Sequence, residues 1–194
     1  FSSGLLNNSF ELSGRLSKID YDGYVDRAFS DLKSYFLQGA YKKGNTFLKA
    51  LAFGGYERGY QSWFGLTKDQ IKENRRQNPY TYENEIDNYK QDHYQVHLNQ
   101  KLNSNWSTNV GLNYTYGRGY YEQYRDDDDV STYGGIVVSD LDSNGDELGT
   151  TDLIRRRWLN NNFYVLNTTL NYVSSKLNMN FSSYYSSYSG DHYG

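Results

Sequence analysis

The fold is decided by residues 106–117, which read WSTNVGLNYTYG. The even-numbered positions carry one threonine among apolar and aromatic side chains: Trp106, Thr108, Val110, Leu112, Tyr114 and Tyr116. The positions between them carry only small or polar residues, from Ser107 to Gly117. Because successive side chains of a β-strand point to opposite faces, this alternation predicts a strand with one apolar face and one polar face.

The same two-residue period recurs in other segments of the chain. It is clear over residues 92–102, and it is present in five more segments: 10–16, 31–42, 46–60, 164–172 and 177–182. The pattern is least regular over 31–42 and 46–60. We therefore predict an all-β chain, folded as an antiparallel up-and-down meander of about eight long strands.

Short turns alternate with long connections along this meander. The turns are rich in Asn, Gly and Ser, which suit tight hairpins, and they fall at 7–8, 43–45, 103–105 and 174–176. The long connections fall near 20–31, 62–88 and 125–158. Long strands with one polar face, short turns at one end and long loops at the other are typical of outer-membrane barrels. We expect residues 1–194 to form one partial β-barrel domain, a segment of a transmembrane outer-membrane barrel with long loops at about 62–88 and 125–158.

The composition suits pleated strands joined by turns and excludes several classes of site. The 194 residues include 22 Tyr and 18 Gly, and the aromatic content of 18% is unlike that of disordered chains. A net charge of −3 leaves no basic footprint for nucleic acid. The absence of Cys rules out disulfides and thiolate metal sites. We expect no nucleic-acid partner and no cofactor.

The first long connection contains a polar segment at residues 66–78 that reads as a short helix. Thr67 is suited to the N-cap position, and Pro79 follows just after the end of the segment. This helix is the one departure from β-structure that the sequence predicts.

Two histidines are candidate ligand-binding residues in the predicted strand 92–102. His93 and His97 alternate with Tyr94, Val96 and Leu98, so they belong to the polar side. A strand separates residues four apart by about 13 Å, which argues against a shared metal ion. The polar face of a large barrel lines its lumen, so we expect the two histidines to line the lumen and to contact either a ligand or a plug.

A second group of candidates is Arg118 with Tyr120 and Tyr121. An arginine can bind carboxylate or phosphate in bidentate fashion, so an anionic ligand is one interpretation. Ion pairing inside a barrel is the other. We find no nucleophile, base and acid in a recognisable catalytic arrangement and no phosphate-binding glycine loop, so we do not predict an enzyme.

The second long connection contains three charged stretches. Asp140, Asp142, Asn144 and Asp146 match the first half of a calcium-binding EF-hand loop. The twelfth loop position, however, is Thr151, where a bidentate Glu is needed, and a hairpin turn explains the same residues. The acidic run 126–129 and the basic run 155–157 are predicted to be solvated, or to pair loosely with each other.

An ordered set of short stretches resembles the barrel of TonB-dependent receptors of the Bacteroidetes type. These stretches are SGRLSKIDYDGYVDR (13–27), SDLKSYF (30–36), YQSWFG (60–65), DNYKQDHYQ (87–95), GRGYYE (117–122) and RRRWL (155–159). The resemblance covers essentially the whole chain. It implies a bacterial outer-membrane protein that takes up a scarce nutrient, such as a ferric chelate, with energy supplied through TonB.

The chain lacks a recognisable plug, and about eight strands are far fewer than the roughly 22 of a plugged transporter. We therefore expect a fragment. The resemblance implies as its partners the rest of the receptor chain with its plug, the TonB protein indirectly, a small-molecule ligand such as a ferric chelate, and membrane lipid. Two other functions stay open: a passive or structural outer-membrane β-protein, and a soluble Tyr-rich β-domain that binds glycans.

Overall fold

A computed structural model describes residues 1–134, 145 and 149–194. Within these residues the chain forms one antiparallel sheet of seven strands, ordered as they follow one another along the chain. The strands are β1 (Phe10–Asp22), β2 (Phe29–Lys43), β3 (Thr46–Tyr60), β4 (Ile86–Lys101), β5 (Trp106–Asp129), β6 (Thr150–Val173) and β7 (Asn178–Tyr193). The predicted all-β, up-and-down meander is confirmed. The sheet is open, with β1 and β7 as its edges.

The connections sort to two ends of the sheet. The turn end carries the tight turns β2–β3, β4–β5 and β6–β7, as predicted. The loop end carries the longer connections, including α1 (Lys68–Glu73) and a 3₁₀ helix (Val130–Tyr133). Thr67 caps α1 in a capping box with Gln70, which confirms the predicted helix start. In the described part of the chain, no helix has the length and apolar character needed to cross a membrane.

The second long loop is shorter than predicted. The chain has seven described strands rather than about eight because residues 1–6, before the predicted turn at 7–8, make only isolated bridges to β1, Ser2 with Ser13 and Leu6 with Phe10. The expected bounds of 125–158 are wrong, because β5 continues to Asp129 and β6 begins at Thr150. The two strands stay paired as far as Asp129 and Thr150, and just before the extension of β5 Glu122 lies directly opposite Arg156. Opposite charges in facing positions stabilise a β-ladder. A charged sequence therefore does not prevent strand formation when its partner strand is complementary.

The strand register sorts the side chains onto two faces. The apolar face contains Leu112, and one row across it reads Leu12, Gly39, Ala50, Val96, Leu112, Leu166 and Tyr185. The polar face contains His97, and its corresponding row reads Glu11, Ala40, Lys49, His97, Gly111, Asn167 and Tyr184. No second layer covers either face among the described residues, and Leu112 is 49% exposed. The sheet therefore has no hydrophobic core of its own.

Aromatic side chains bound the aliphatic rows of the apolar face on both sides. Toward the loop end, Tyr94, Tyr114 and Tyr164 stack in one row, with ring centroids 6.1 and 4.7 Å apart. Toward the turn end, Trp106 packs on Tyr172 at 4.8 Å. Trp106 and Tyr114 are eight positions apart on β5, which is about 27 Å along the strand and about 20 Å of height at the strand tilt of about 35–45° in such barrels. Transmembrane barrels carry an outward apolar band about 25 Å tall between two aromatic girdles.

Candidate functional site

A cluster of aromatic and cationic side chains lies on the polar face at the loop end. We name it the mouth cluster, and it consists of Trp63, Tyr121, Gln123, Tyr133, Arg155 and Arg157. Adjacent strands β5 and β6 supply four of these residues, the β3–β4 connection supplies Trp63, and the 3₁₀ helix supplies Tyr133. A cavity of about 1000 Å³ borders Tyr121, Tyr133 and both arginines.

Direct contacts hold the mouth cluster together. Arg157 Nη1 donates to Tyr121 Oη at 2.9 Å, and the ring of Trp63 meets that of Tyr121 edge-on at 6.2 Å. Arg155 donates to Gln123 Oε1 at 3.0 Å and to Tyr133 Oη at 3.1 Å. The surface therefore combines two arginines with aromatic rings, a combination that suits a ligand with both negative charge and flat apolar groups.

Strand alternation separates the three consecutive arginines. Arg156 lies on the apolar-face side, where its Nε donates to Glu122 at 2.5 Å. Arg155 lies 4.0 Å from Asp128, which is the meeting of acidic and basic runs that the sequence predicts. Among the described residues, no carboxylate lies within 4.0 Å of Arg157. Arg157 is therefore the member of the run best able to contact an anion.

Asp128 anchors the base of the acidic run. Its carboxylate accepts from Arg125 Nε at 3.0 Å and from Tyr133 Oη at 2.5 Å. These hydrogen bonds, with the positive charges of Arg125 and Arg155, lower the pKa of Asp128 to about 2. Asp128 is thus a fixed anion that orients Tyr133 toward Arg155.

Buried polar residues anchor the connection that carries Trp63. Gln61 and Asn78 are 1% and 3% exposed. The Asn78 amide donates to the carbonyl of Gln61 at 3.3 Å and to that of Asp26 at 3.2 Å, and the Gln61 amide donates to the Ile86 carbonyl at 3.1 Å. Because buried polar groups are costly to leave unpaired, these bonds define one position for the connection.

Glu85, at the end of this connection, is a buried acid. It is 2% exposed, and its Oε2 accepts from the backbone N–H of Tyr124 at 3.1 Å. Burial raises the pKa of Glu85 above its ordinary value of 4.5, against smaller opposing effects of the Tyr124 hydrogen bond and of Arg125. Docking of the connection therefore shifts Glu85 toward its neutral form.

We expect the docking of the connection to weaken as pH rises. A carboxyl group whose pKa is raised by folding binds more protons in the docked state, so docking loses stability as pH increases from 4.5 through the raised pKa. Glu85→Gln keeps the acceptor and removes the charge. The Gln61 N–H donates to the Glu85 carbonyl, so its hydrogen exchange reports on docking. Its exchange rate should be the same in the wild type and in Glu85→Gln at about pH 4, and slower in the variant at about pH 8. Equal exchange at both pH values would contradict this prediction.

The two candidate histidines lie on the polar face, away from the mouth cluster. His93 Nδ1 and Thr115 Oγ1 are 2.9 Å apart, and the His93 ring stacks on Phe53 at 4.6 Å. His97 Nε2 lies 3.2 Å from Gln95 Oε1. Both histidines line a concave region of about 670 Å³. In the chain as far as it is described, no three His, Cys, Asp or Glu side chains are grouped as metal ligands.

The five predicted ligand-binding residues do not form one site. His93, His97 and Tyr121 lie on the polar face, whereas Arg118 and Tyr120 lie on the apolar-face side. The Arg118 guanidinium sits 5.2 Å from the centre of the Trp158 ring, and Tyr120 packs on the same ring at 4.5 Å. The physical reason is the two-residue period, since even positions of β5 share the face of Leu112.

The mouth cluster includes residues that sequence reasoning missed. The sequence pattern predicts Arg155 and Arg157 only as loop charges, whereas on β6 they lie opposite Gln123 and Tyr121, respectively. The weak calcium candidates Asp140, Asp142, Asn144 and Asp146 lie outside the described residues. Thr151, the twelfth position of that motif, is part of β6.

Comparison with known proteins identifies the fold. No family model matches the sequence, and no curated protein matches it. The sheet is similar to part of an import receptor. The closed form of the ferric-catecholate import receptor Fiu from E. coli K12 matches with a TM-score of 0.67 and 10% identity, over 100% of this chain and 29% of the receptor. Its open form matches with a TM-score of 0.68 and 10% identity, over 97% and 31%. The chain thus spans less than a third of this receptor in either form.

Proposed function

We propose that this chain is part of the wall of an outer-membrane uptake receptor of the TonB-dependent, Bacteroidetes type. The observation that carries the proposal is the uncovered apolar face, bounded by aromatic rows and backed by a polar face. An exposed apolar surface of this extent requires a cover, and lipid covers it if the strands belong to a closed barrel. The likeness to an import receptor supports the same assignment.

The open edges of the sheet indicate the nearest partners. β7 has one side without a neighbouring strand in the described sheet. The outer edge of β1 is covered only over its first residues, where the Ser3 N–H donates to the Leu12 carbonyl and the Gly14 N–H to that of Phe1, and unpaired strand edges are costly in a membrane. We therefore infer that further strands of the same receptor complete the barrel and that its plug meets the polar face. TonB acts on the whole receptor rather than on this segment.

The mouth cluster supports a ferric chelate as the nutrient. Arg155 and Arg157 can donate hydrogen bonds to the anionic oxygens of such a chelate, and Trp63 and Tyr121 can pack against its flat rings. The similar receptor imports ferric catecholates, which combine negative charge with aromatic rings. The chemistry of the cluster therefore suits this class of ligand.

Cysteine labelling tests the membrane placement, because the chain has no native Cys. In isolated outer membranes, we expect a water-soluble maleimide to label Asn113→Cys on the polar face and not its neighbour Leu112→Cys, which lipid covers. Lys68→Cys on exposed α1 is the positive control, and both test sites should react after denaturation. Equal labelling of 112 and 113 in native membranes would instead favour the soluble glycan-binding domain.

Ligand binding tests the mouth cluster. Arg157→Gln in the full receptor should weaken binding of a radiolabelled anionic ferric chelate at least about tenfold, because one charge-assisted hydrogen bond contributes about 1.5–3 kcal/mol. Lys43→Gln, which removes one positive charge at the turn end, is the matched control and should bind as the wild type does. Unchanged affinity of Arg157→Gln for the chelate would show that the ligand does not bind at the mouth cluster.

A further inference from the structure

Four cations form one row on the apolar-face side of the sheet, just beyond the apolar band at the loop end. We name it the basic row, and it consists of Lys18, Lys33, Lys90 and Arg118, from strands β1, β2, β4 and β5. The strand register places Lys18 directly opposite Lys33 and Lys90 directly opposite Arg118. Tyr56 occupies the same row on β3, between the two pairs.

This arrangement is unfavourable for the sheet by itself. Adjacent strands are about 4.8 Å apart, and like charges in directly opposite positions destabilise a ladder. Two such pairs share one row and one face. Anions close to the row would therefore stabilise it by reducing the repulsion between the facing cations.

Carboxylates within the chain compensate the row only in part. Lys18, Lys33 and Lys90 approach Asp20, Asp31 and Asp92 at 2.5, 3.1 and 3.1 Å. The three lysine side chains are more than half exposed, whereas the side chains of Asp31 and Asp92 are only 29% and 8% exposed. The exposed Lys18–Asp20 pair contributes little, and Asp191 of β7 lies in the same row, two strands beyond Arg118.

Arg118 differs from the three lysines. Its guanidinium packs against the Trp158 ring, and no carboxylate of the described residues lies within 4.0 Å of it. A second aromatic contact supports the row, since Lys33 Nζ lies 5.6 Å from the centre of the Tyr56 ring. The row thus presents ammonium groups and a guanidinium among interfacial aromatic rings, all on the side of the sheet opposite the mouth cluster.

The position of the basic row relative to the apolar band indicates which part of the membrane it contacts. The next row toward the turn end is mixed, with Leu16, Tyr35, Asp92 and Tyr116, and the row after it carries the stacked tyrosines that bound the apolar band. Tyr35 Oη there donates to Asp92 at 2.9 Å. The basic row is therefore two rows beyond the tyrosines that bound the apolar band, which is the level of lipid headgroups.

We propose that the basic row binds the phosphate groups of an anionic lipid in the outer leaflet. The proposal rests on the membrane placement given above and assigns to that surface a ligand of its own, distinct from the imported nutrient. Each lysine supplies a point charge with three donors, and Arg118 supplies a bidentate donor for phosphate oxygens.

Lipid phosphate retained by the purified full-length receptor tests the proposal. The test variant combines Lys18→Gln, Lys33→Gln, Lys90→Gln and Arg118→Gln. The matched control removes three Lys and one Arg from the polar face: Arg15→Gln, Lys42→Gln, Lys49→Gln and Lys101→Gln. Each protein is extracted from its own membranes into nonionic detergent, washed at low salt and assayed for organic phosphate per mole.

We expect the test variant to retain at least about tenfold less lipid phosphate than the wild type, because each Lys or Arg near an anionic surface strengthens binding about fivefold. The control should match the wild type, and high salt should strip lipid from both. The proposal would be overturned if the test variant retained as much lipid phosphate as the wild type, or if the control variant lost as much as the test variant. Labelling of Leu112→Cys distinguishes failure of the lipid-binding proposal from failure of the receptor proposal. If Leu112→Cys is protected from the maleimide but the test variant loses no lipid, only the lipid-binding proposal fails.

Discussion

Leu112→Arg is expected to destabilise the inserted protein by up to about 2–4 kcal/mol, the cost of a lipid-facing arginine at the bilayer midplane, which falls toward the interface. Leu112 lies within the apolar band, two residues from the row of stacked tyrosines. Its side chain is 49% exposed in the sheet alone, so the cost arises from transfer of charge into lipid and not from crowding. Reversible denaturant unfolding of the full receptor in phospholipid vesicles measures the effect.

Asn113→Arg is the matched control for this prediction. Asn113 neighbours Leu112 on β5 but points to the polar face, where Gln95 donates to its side chain at 3.1 Å. The same arginine there stays in a polar environment and should cost well under half as much. Similar losses of stability at the two positions would mean that both faces of the sheet are in the same environment. The assignment of the chain to a barrel wall would then fail.

Gly119→Ala is expected to destabilise the protein by about 1–3 kcal/mol or more, as overpacking does when the neighbours cannot move. A Cβ atom at Gly119 would lie 2.2 Å from the Asn88 carbonyl oxygen and 2.7 Å from Tyr89 Cα. Both are backbone atoms of the paired strand β4, so relief requires separation of β4 from β5. A lower denaturant midpoint, with protection lost first along this strand pair in hydrogen exchange, is the expected result.

Gly55→Ala controls for the removal of a strand glycine. Its Cβ atom would meet only the Lys33 carbonyl oxygen, at an ordinary 3.6 Å. The substitution also reduces the entropy of the unfolded chain, so it should leave stability unchanged or raise it slightly. A midpoint for Gly119→Ala equal to that of Gly55→Ala would show that β4 and β5 are not as close at this position as described.

The two-residue alternation of the strands predicts which candidate residues share a face of the sheet. A list of functional residue types does not. On β5 the even positions include Leu112, and the same parity places Arg118 and Tyr120 with it. On β4 the odd positions place His93 and His97 on the other face. A single site containing all five predicted residues was therefore excluded by the pattern that predicted the strands.

Residues far apart in sequence come together only through the strand register. Trp63 belongs to a long connection, and its contact with Tyr121 depends on buried hydrogen bonds made by Gln61 and Asn78. The facing cations Lys90 and Arg118 likewise become neighbours through a register that is set over the whole length of β4 and β5. No local pattern within either strand specifies that offset.

By itself, the sequence determined that the chain is all-β and two-faced, where its tight turns fall, and where α1 begins. These are local properties, because alternation, turn residues and helix capping act over a few neighbouring residues. Only the tertiary structure decided how far β5 and β6 extend, which charges meet across them, and which residues form the mouth cluster and the basic row. Those features depend on pairing between distant segments, where complementary side chains of the partner strand compensate for a locally unfavourable sequence.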